Sequence, residues 1–146
     1  TSTVCALTDV KTDFATLAGA MLDAVAARLG VELSDEMRAD ILASFAGLPP
    51  HADIKPALTR LRSAGYRTVA FSNSSLKLVT AQIDNAGLTD YFDDIVSVEE
   101  TGSFKPDPRV YEFVAKRINR PIDEIVSARA SVESHGTFTM SGMSGP

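Results

Sequence analysis

Cysteine is all but missing from this chain: Cys5 stands alone among 146 residues, so no disulfide can form within it. Long apolar runs are missing as well. No stretch reaches the length of a membrane span or has the order of a secretion signal, so the expectation is a cytoplasmic protein with no membrane partner. Basic clusters are also lacking. With 14 Lys and Arg against 19 Asp and Glu, the net charge of −5 leaves no electrostatic footprint for nucleic acid or an anionic surface. The two histidines, His51 and His135, have no spaced Cys, His or acidic partners, which argues against zinc. No metal or other cofactor is expected.

What is present is a globular composition, 45% hydrophobic and 23% charged, sufficient for one core and a small accessory domain. Residues 1 to 11 read as the frayed end of a helix. From Phe14 the periodicity is clean, because Phe14, Leu17, Ala18, Met21, Leu22, Val25 and Leu29 share one helical face and Gly30 suits the C′ position. Ser34 can cap a second helix carrying Met37, Ile41 and Phe45 on one side, with Gly47 at its end. Pro49 and Pro50 then break the pattern and mark a domain boundary.

Beyond that break strands appear. Asp53 can cap a helix whose inward residues are Ile54, Ala57, Leu58 and Leu61, with Gly65 closing it. Thr68 to Phe71 reads as a buried strand, because β-branched and aromatic residues fill it and the polar run from Ser72 to Ser75 stops it. A helix from about Ser75 to Ala86 and a strand from Ile95 to Val98 follow. Asp107 and Pro108 form an N-cap and N1 pair for a further helix, and Ile125 with Val126 suggests a third strand. Alternation of this kind implies right-handed crossovers and a parallel α/β sheet. From Ser127 onward no period of 2 or 3.6 is read, and an irregular or disordered tail is expected.

In a parallel α/β sheet, ligands collect at the carboxyl ends of the strands. Ser72 and Asn73 fall there after the first strand, and Lys105 in the loop after the second. A hydroxyl and an amide can hold a carboxylate, while an ammonium offsets charge on an acidic nucleophile or substrate. A plainer reading is that the Ser-Asn-Ser-Ser run only caps the next helix and that Lys105 is a solvated loop residue. Pro106 and Pro108 flank Asp107 and hold Lys105 on a stiff arm, which favours a placed lysine.

The strings Phe71-Ser72-Asn73-Ser74, Asn85-Ala86-Gly87-Leu88, Phe92, Ser97-Val98 and Phe104-Lys105-Pro106-Asp107-Pro108-Arg109-Val110-Tyr111, together with Thr12-Asp13-Phe14, resemble the haloacid dehalogenase superfamily. Within it, the chain is most similar to the type II 2-haloacid dehalogenases, from about Thr12 to Ile125. The resemblance implies a partial Rossmann-like parallel core with a helical cap: residues 1–50 as cap, 51–128 as core and 129–146 as the irregular tail. It implies hydrolytic dehalogenation of short 2-haloalkanoic acids to 2-hydroxy acids through an aspartyl ester. Ser72 and Asn73 would bind the substrate carboxylate, Lys105 would lie beside the nucleophilic aspartate, Tyr111 would support that lysine, and Phe14 would line an apolar pocket. From the residues alone, Tyr111 is a half-buried helix residue and Phe14 is core.

The family's nucleophile belongs to an apolar strand ending in an Asp-x-x-Gly-Thr pattern, which this sequence does not contain. Asp9 is a poor substitute, since it lacks the glycine and immediately precedes the Phe14 helix. Arg129, Ser131 and Ser134 stand where a polar site after the third strand belongs, and the family roles do not transfer to them. A truncated or frame-shifted gene product would account for both ends. Three outcomes are therefore expected: a small haloacid substrate with a homodimer in the full-length form, but an inactive chain as given. Glu99 and Glu100 support an alternative, a magnesium-dependent phosphatase of the same superfamily. The other is a non-catalytic fragment.

Overall fold

Residues 12–131 and 137–143 are described in the structure, a computed structural model, with side chains from residue 12 to residue 127. Strand β1 (Thr68–Ser72) is buried at all five positions, as its run Thr-Val-Ala-Phe-Ser requires of a central strand. β2 (Asp94–Ser97) lies parallel beside it, pairing Val69 with Asp94 and Ser72 with Ser97, so both strands end together. This register places the loops that follow them side by side. The α/β class stands, with this parallel pair forming one side of the sheet and β2 at its edge.

Five α-helices are described, three before β1, one between the two strands and one after β2. Helix α1 (Phe14–Leu29) starts where the Asp13 carboxylate accepts from the Thr16 N–H at 2.8 Å and ends at Gly30, whose φ of 67° needs a glycine-like conformation. Those hydrogen bonds hold the Asp13 carboxyl below its ordinary pKa. α2 (Asp35–Ser44) is capped by Ser34 and closes in a 3₁₀ turn, Phe45–Gly47. α3 (Ile54–Ser63) leads into β1, and α4 (Leu76–Asn85), capped by Ser75, crosses over to β2. α5 (Pro108–Arg117) follows the β2 loop, with Asp107 as N-cap and Pro108 at the first helical position.

The core divides around the sheet. One cluster joins Val69, Phe71, Val96, Val98, Phe104, Val110, Val114 and Ile118; the other joins Leu58, Ala70, Val79, Ile83 and Leu88. Alternate residues of β1 therefore serve opposite faces, as a period of two demands. Each fully buried Val, Leu, Ile or Phe contributes about 1.5–3 kcal/mol relative to exposure. At the amino edge, the Asp93 carboxylate accepts from Thr68 N–H at 2.7 Å and fixes the start of β1.

Several expectations need correction. Strand β3 runs Ile125–Ser131, and β4 covers Thr137–Met143, so the irregular tail expected over 129–146 is replaced there by two antiparallel strands. β4 inserts between β1 and β3, pairing antiparallel with β1 from Thr68 to Phe71. The reason is that β1 has backbone donors and acceptors on both edges, and a buried strand needs partners on both. The Thr-Phe-Thr-Met order from 137 to 140 already carries the alternation of a strand. Asp53 occupies the N-cap position of α3 but makes no capping hydrogen bond through its side chain, its backbone being helical. The helix side that carries Met37 and Ile41 is exposed at both, as α1 is at Met21, Val25 and Leu29. Residues 1–11, including Asp9, and the position of Ser134 and His135 lie outside the described residues.

Candidate active site

The carboxyl ends of β1 and β2 gather a dense set of polar contacts. Ser72 closes β1, and its hydroxyl accepts from the Ser74 N–H at 3.1 Å, bending the chain sharply before Ser75 caps α4. Asn73 faces the other loop: its Oδ1 accepts from the Lys105 N–H at 2.9 Å. The Lys105 side chain then returns to the strand, donating from Nζ to the Phe71 carbonyl at 2.7 Å. Lys105, more than thirty positions along the chain, is thus brought to the strand end that carries Ser72 and Asn73. Neither the helix cap nor the loose surface lysine of the plainer reading describes Asn73 and Lys105.

Phe71 ties this group to the apolar side. Lys105 Nζ sits 4.7 Å from the centroid of its ring, a cation–π approach, and Tyr111 meets the same ring edge-on at 5.9 Å with the planes at 71°. Tyr111 therefore approaches Lys105 through Phe71. Phe14 and Leu17 of α1 pack half-buried on the cluster that contains Phe71, Val98 and Phe104. That brings α1 to the site.

The lysine arm is held from its far side. Lys105–Pro106 is a cis peptide bond, and Asp107 accepts from the Arg109 N–H at 2.9 Å and from the Ser103 hydroxyl at 2.7 Å, while its carboxylate pairs with the Arg109 guanidinium. The Arg109 side chain first, then Ser103 and the Arg109 N–H, hold the Asp107 carboxyl far below its ordinary pKa of 3.8. Ser103 and Phe104 are buried in the same loop.

Two participants, Ser97 and Glu99, have bonding roles that the sequence does not show. The Ser97 hydroxyl, buried at the end of β2, donates to the Ser74 carbonyl at 2.7 Å and accepts from the Glu99 N–H at 3.0 Å. Glu99 in turn accepts from the Leu76 N–H at 3.3 Å, at the amino end of α4, where a carboxylate is favoured. Its carboxylate is engaged as a helix cap. In the sequence Ser97 is a small polar residue inside the apolar run Ile95 to Val98 and part of the Ser97-Val98 string. Among the described residues, no three His, Cys, Asp or Glu side chains converge as a metal-binding group. No described helix is long and apolar enough to cross a membrane.

Residues 6–126 match the haloacid dehalogenase-like hydrolase family, and the chain belongs to that family of hydrolases. It is 36% identical over 98 residues to an (S)-2-haloacid dehalogenase of Pseudomonas fluorescens, covering 67% of this chain and 43% of that protein. A Pseudomonas putida (S)-2-haloacid dehalogenase is 35% identical over the same length, with the same coverage. Among solved structures, the L-2-haloacid dehalogenase of Xanthobacter autotrophicus with chloropropionic acid covalently bound superposes with a TM-score of 0.75 at 30% identity. That match covers 82% of this chain and 48% of the other. The chain spans less than half the length of the curated relatives it matches.

Proposed function

We propose that this chain carries the carboxylate-binding and lysine half of a 2-haloacid dehalogenase, which converts short 2-haloalkanoic acids to 2-hydroxy acids by hydrolysis. In this reading residues 1–50 belong to the cap and 51–128 to the core of a cytoplasmic enzyme, a homodimer at full length. The observation that carries it is the convergence at the end of β1: Lys105 Nζ on the Phe71 carbonyl, one residue before Ser72, with Asn73 Oδ1 on the Lys105 N–H.

Ser72 and the Asn73 amide hold the substrate carboxylate. Because the Ser74 N–H already occupies a lone pair on Ser72 Oγ, the hydroxyl proton is left to donate to an anion. Lys105 supplies positive charge beside the attacking aspartate and the bound acid. Phe71 and Tyr111 fix the direction of its ammonium, and Phe14 provides an apolar wall for the carbon skeleton. An aspartate attacks C2, halide departs with inversion, and water cleaves the ester to release the hydroxy acid and regenerate the carboxylate. Ser72 cannot replace that aspartate, having no adjacent histidine base.

The experiment uses a chimera in which the segments of the Pseudomonas fluorescens relative outside the matched stretch are joined to this chain. Chloride release from 2-chloropropionate in the presence of chelator is the expected outcome. Magnesium-dependent phosphate release without chloride release would instead select the phosphatase reading, to which Glu99 in its helix-capping position lends little support.

A further inference from the structure

The carboxylate-binding pair Ser72 and Asn73 is set by a backbone turn, and that turn is held from the neighbouring strand. Ser97 is paired with Ser72 in the β1–β2 register, and the Val98 N–H reaches the Ser72 carbonyl at 3.0 Å. One side chain then crosses to the turn itself. Ser97 Oγ donates to the Ser74 carbonyl and accepts from the Glu99 N–H, and both Ser74 and Ser97 are buried. Its hydroxyl is small enough to lie between the two strand ends and is amphoteric, so it can satisfy a carbonyl and an N–H at once. Glu99 passes the connection on to the amino end of α4 through the Leu76 N–H.

We propose that Ser97 is a positioning residue for substrate binding: through the Ser74 carbonyl it fixes the turn that aims Ser72 and Asn73 at the substrate carboxylate. The inference rests on the dehalogenase reading for its substrate but on this hydrogen-bond chain for its mechanism. Ser97 touches the turn and not the acid. Its loss loosens the aim of the binding groups while Lys105, held by Asn73, Phe71 and the Asp107 loop, keeps its place.

The test compares the chimera with its Ser97→Ala and Ser97→Thr forms. For Ser97→Ala, KM for 2-chloropropionate rises about ten-fold while kcat stays within about two-fold, the pattern of lost binding in ground and transition states alike. Ser97→Thr keeps the hydroxyl and recovers most of the KM. A lowered melting temperature with unchanged KM, or an equal fall of kcat and kcat/KM, overturns the proposal. If the unsubstituted chimera releases no chloride, the dehalogenase reading fails, and Ser97 is judged on this chain itself. The amide resonances of Ser74 and Glu99 must then shift in Ser97→Ala and return in Ser97→Thr. Resonances that stay in place overturn it.

Discussion

The end of the β1–β2 pair and the α1–α2 helix pair solve opposite problems. At the strand ends the polar groups of Ser72, Asn73, Ser97, Lys105 and Asp107 find partners within the chain, although their neighbours are buried. On the two helices it is apolar groups that lack cover: Val25 is 52% and Leu29 67% exposed, and Met21, Met37 and Ile41 are exposed as well. The helices are joined to each other by the Asp23–Arg38 ion pair, on a surface where such pairs contribute little. To the core they are joined at their exit, where Gln82 donates to the Phe45 carbonyl and Asn85 to the Ala46 carbonyl. The site is therefore specified locally by directional bonds, and the helical pair mainly by its connections at either end.

The largest effect expected is on chemistry. The chain as given should release no chloride from 2-chloropropionate above a protein-free control, because the carboxylates described at the site are engaged, Asp107 by Ser103 and Arg109 and Glu99 by the Leu76 N–H. In the chimera, Lys105→Ala should lower kcat by about 100-fold or more, the scale for removing a placed charge at a reacting centre. Turnover by the chain alone, abolished by Asp9→Asn, would break the comparison at its root.

Next in size is a packing effect. Phe71 is fully buried and touches both Lys105 and Tyr111, so Phe71→Ala should cost about 3–5 kcal/mol in urea unfolding of the chain. A loss under about 1 kcal/mol would mean that this side of the sheet collapses around the gap.

How much of this was readable beforehand follows the same division. The residues that meet at the strand end announced themselves by kind and position: Ser-Asn after an apolar strand, and a lysine between a phenylalanine and two prolines. Their bonding did not. Nothing in the sequence says that Asn73 holds the Lys105 N–H or that Ser97 crosses to Ser74, because such contacts depend on which strands are neighbours and in what register. The helix faces misled for a related reason. A period of 3.6 shows that Met37 and Ile41 share a side, but burial also needs something to pack against that side. β4 is not legible because a short alternation among Thr, Ser and Gly is weak until an open strand edge gives it a partner.

A third prediction concerns acid. Because the folded Asp107 carboxyl lies below its ordinary pKa of 3.8, its ionised form is what the fold stabilises. That contribution is complete above the unfolded value and is lost as pH falls from there toward the folded one. Asp107→Asn should therefore be less stable than the parent at pH 7, and the gap between their urea midpoints should narrow only below about pH 4. A gap that closes already between pH 7 and 5 would point to a different titrating group.

The smallest effect should come from the exposed helix face. Val25 projects from the middle of α1 among other exposed apolar residues, so replacing it removes little packing in the isolated chain. Lysine also has the higher helix propensity, since its unbranched Cβ leaves side-chain freedom that valine loses against the preceding turn. Val25→Lys should change the unfolding free energy by no more than about 0.5 kcal/mol, in either direction, when measured in dilute protein. The comparison sharpens if the same substitution is followed across concentration. A midpoint that does not move with concentration, in parent and variant alike, leaves Val25 facing water. A parent midpoint that rises with concentration, and a variant midpoint that does not, would show that copies of the chain cover this face in each other. The helical pair would then obtain between molecules the cover that the strand ends find within one.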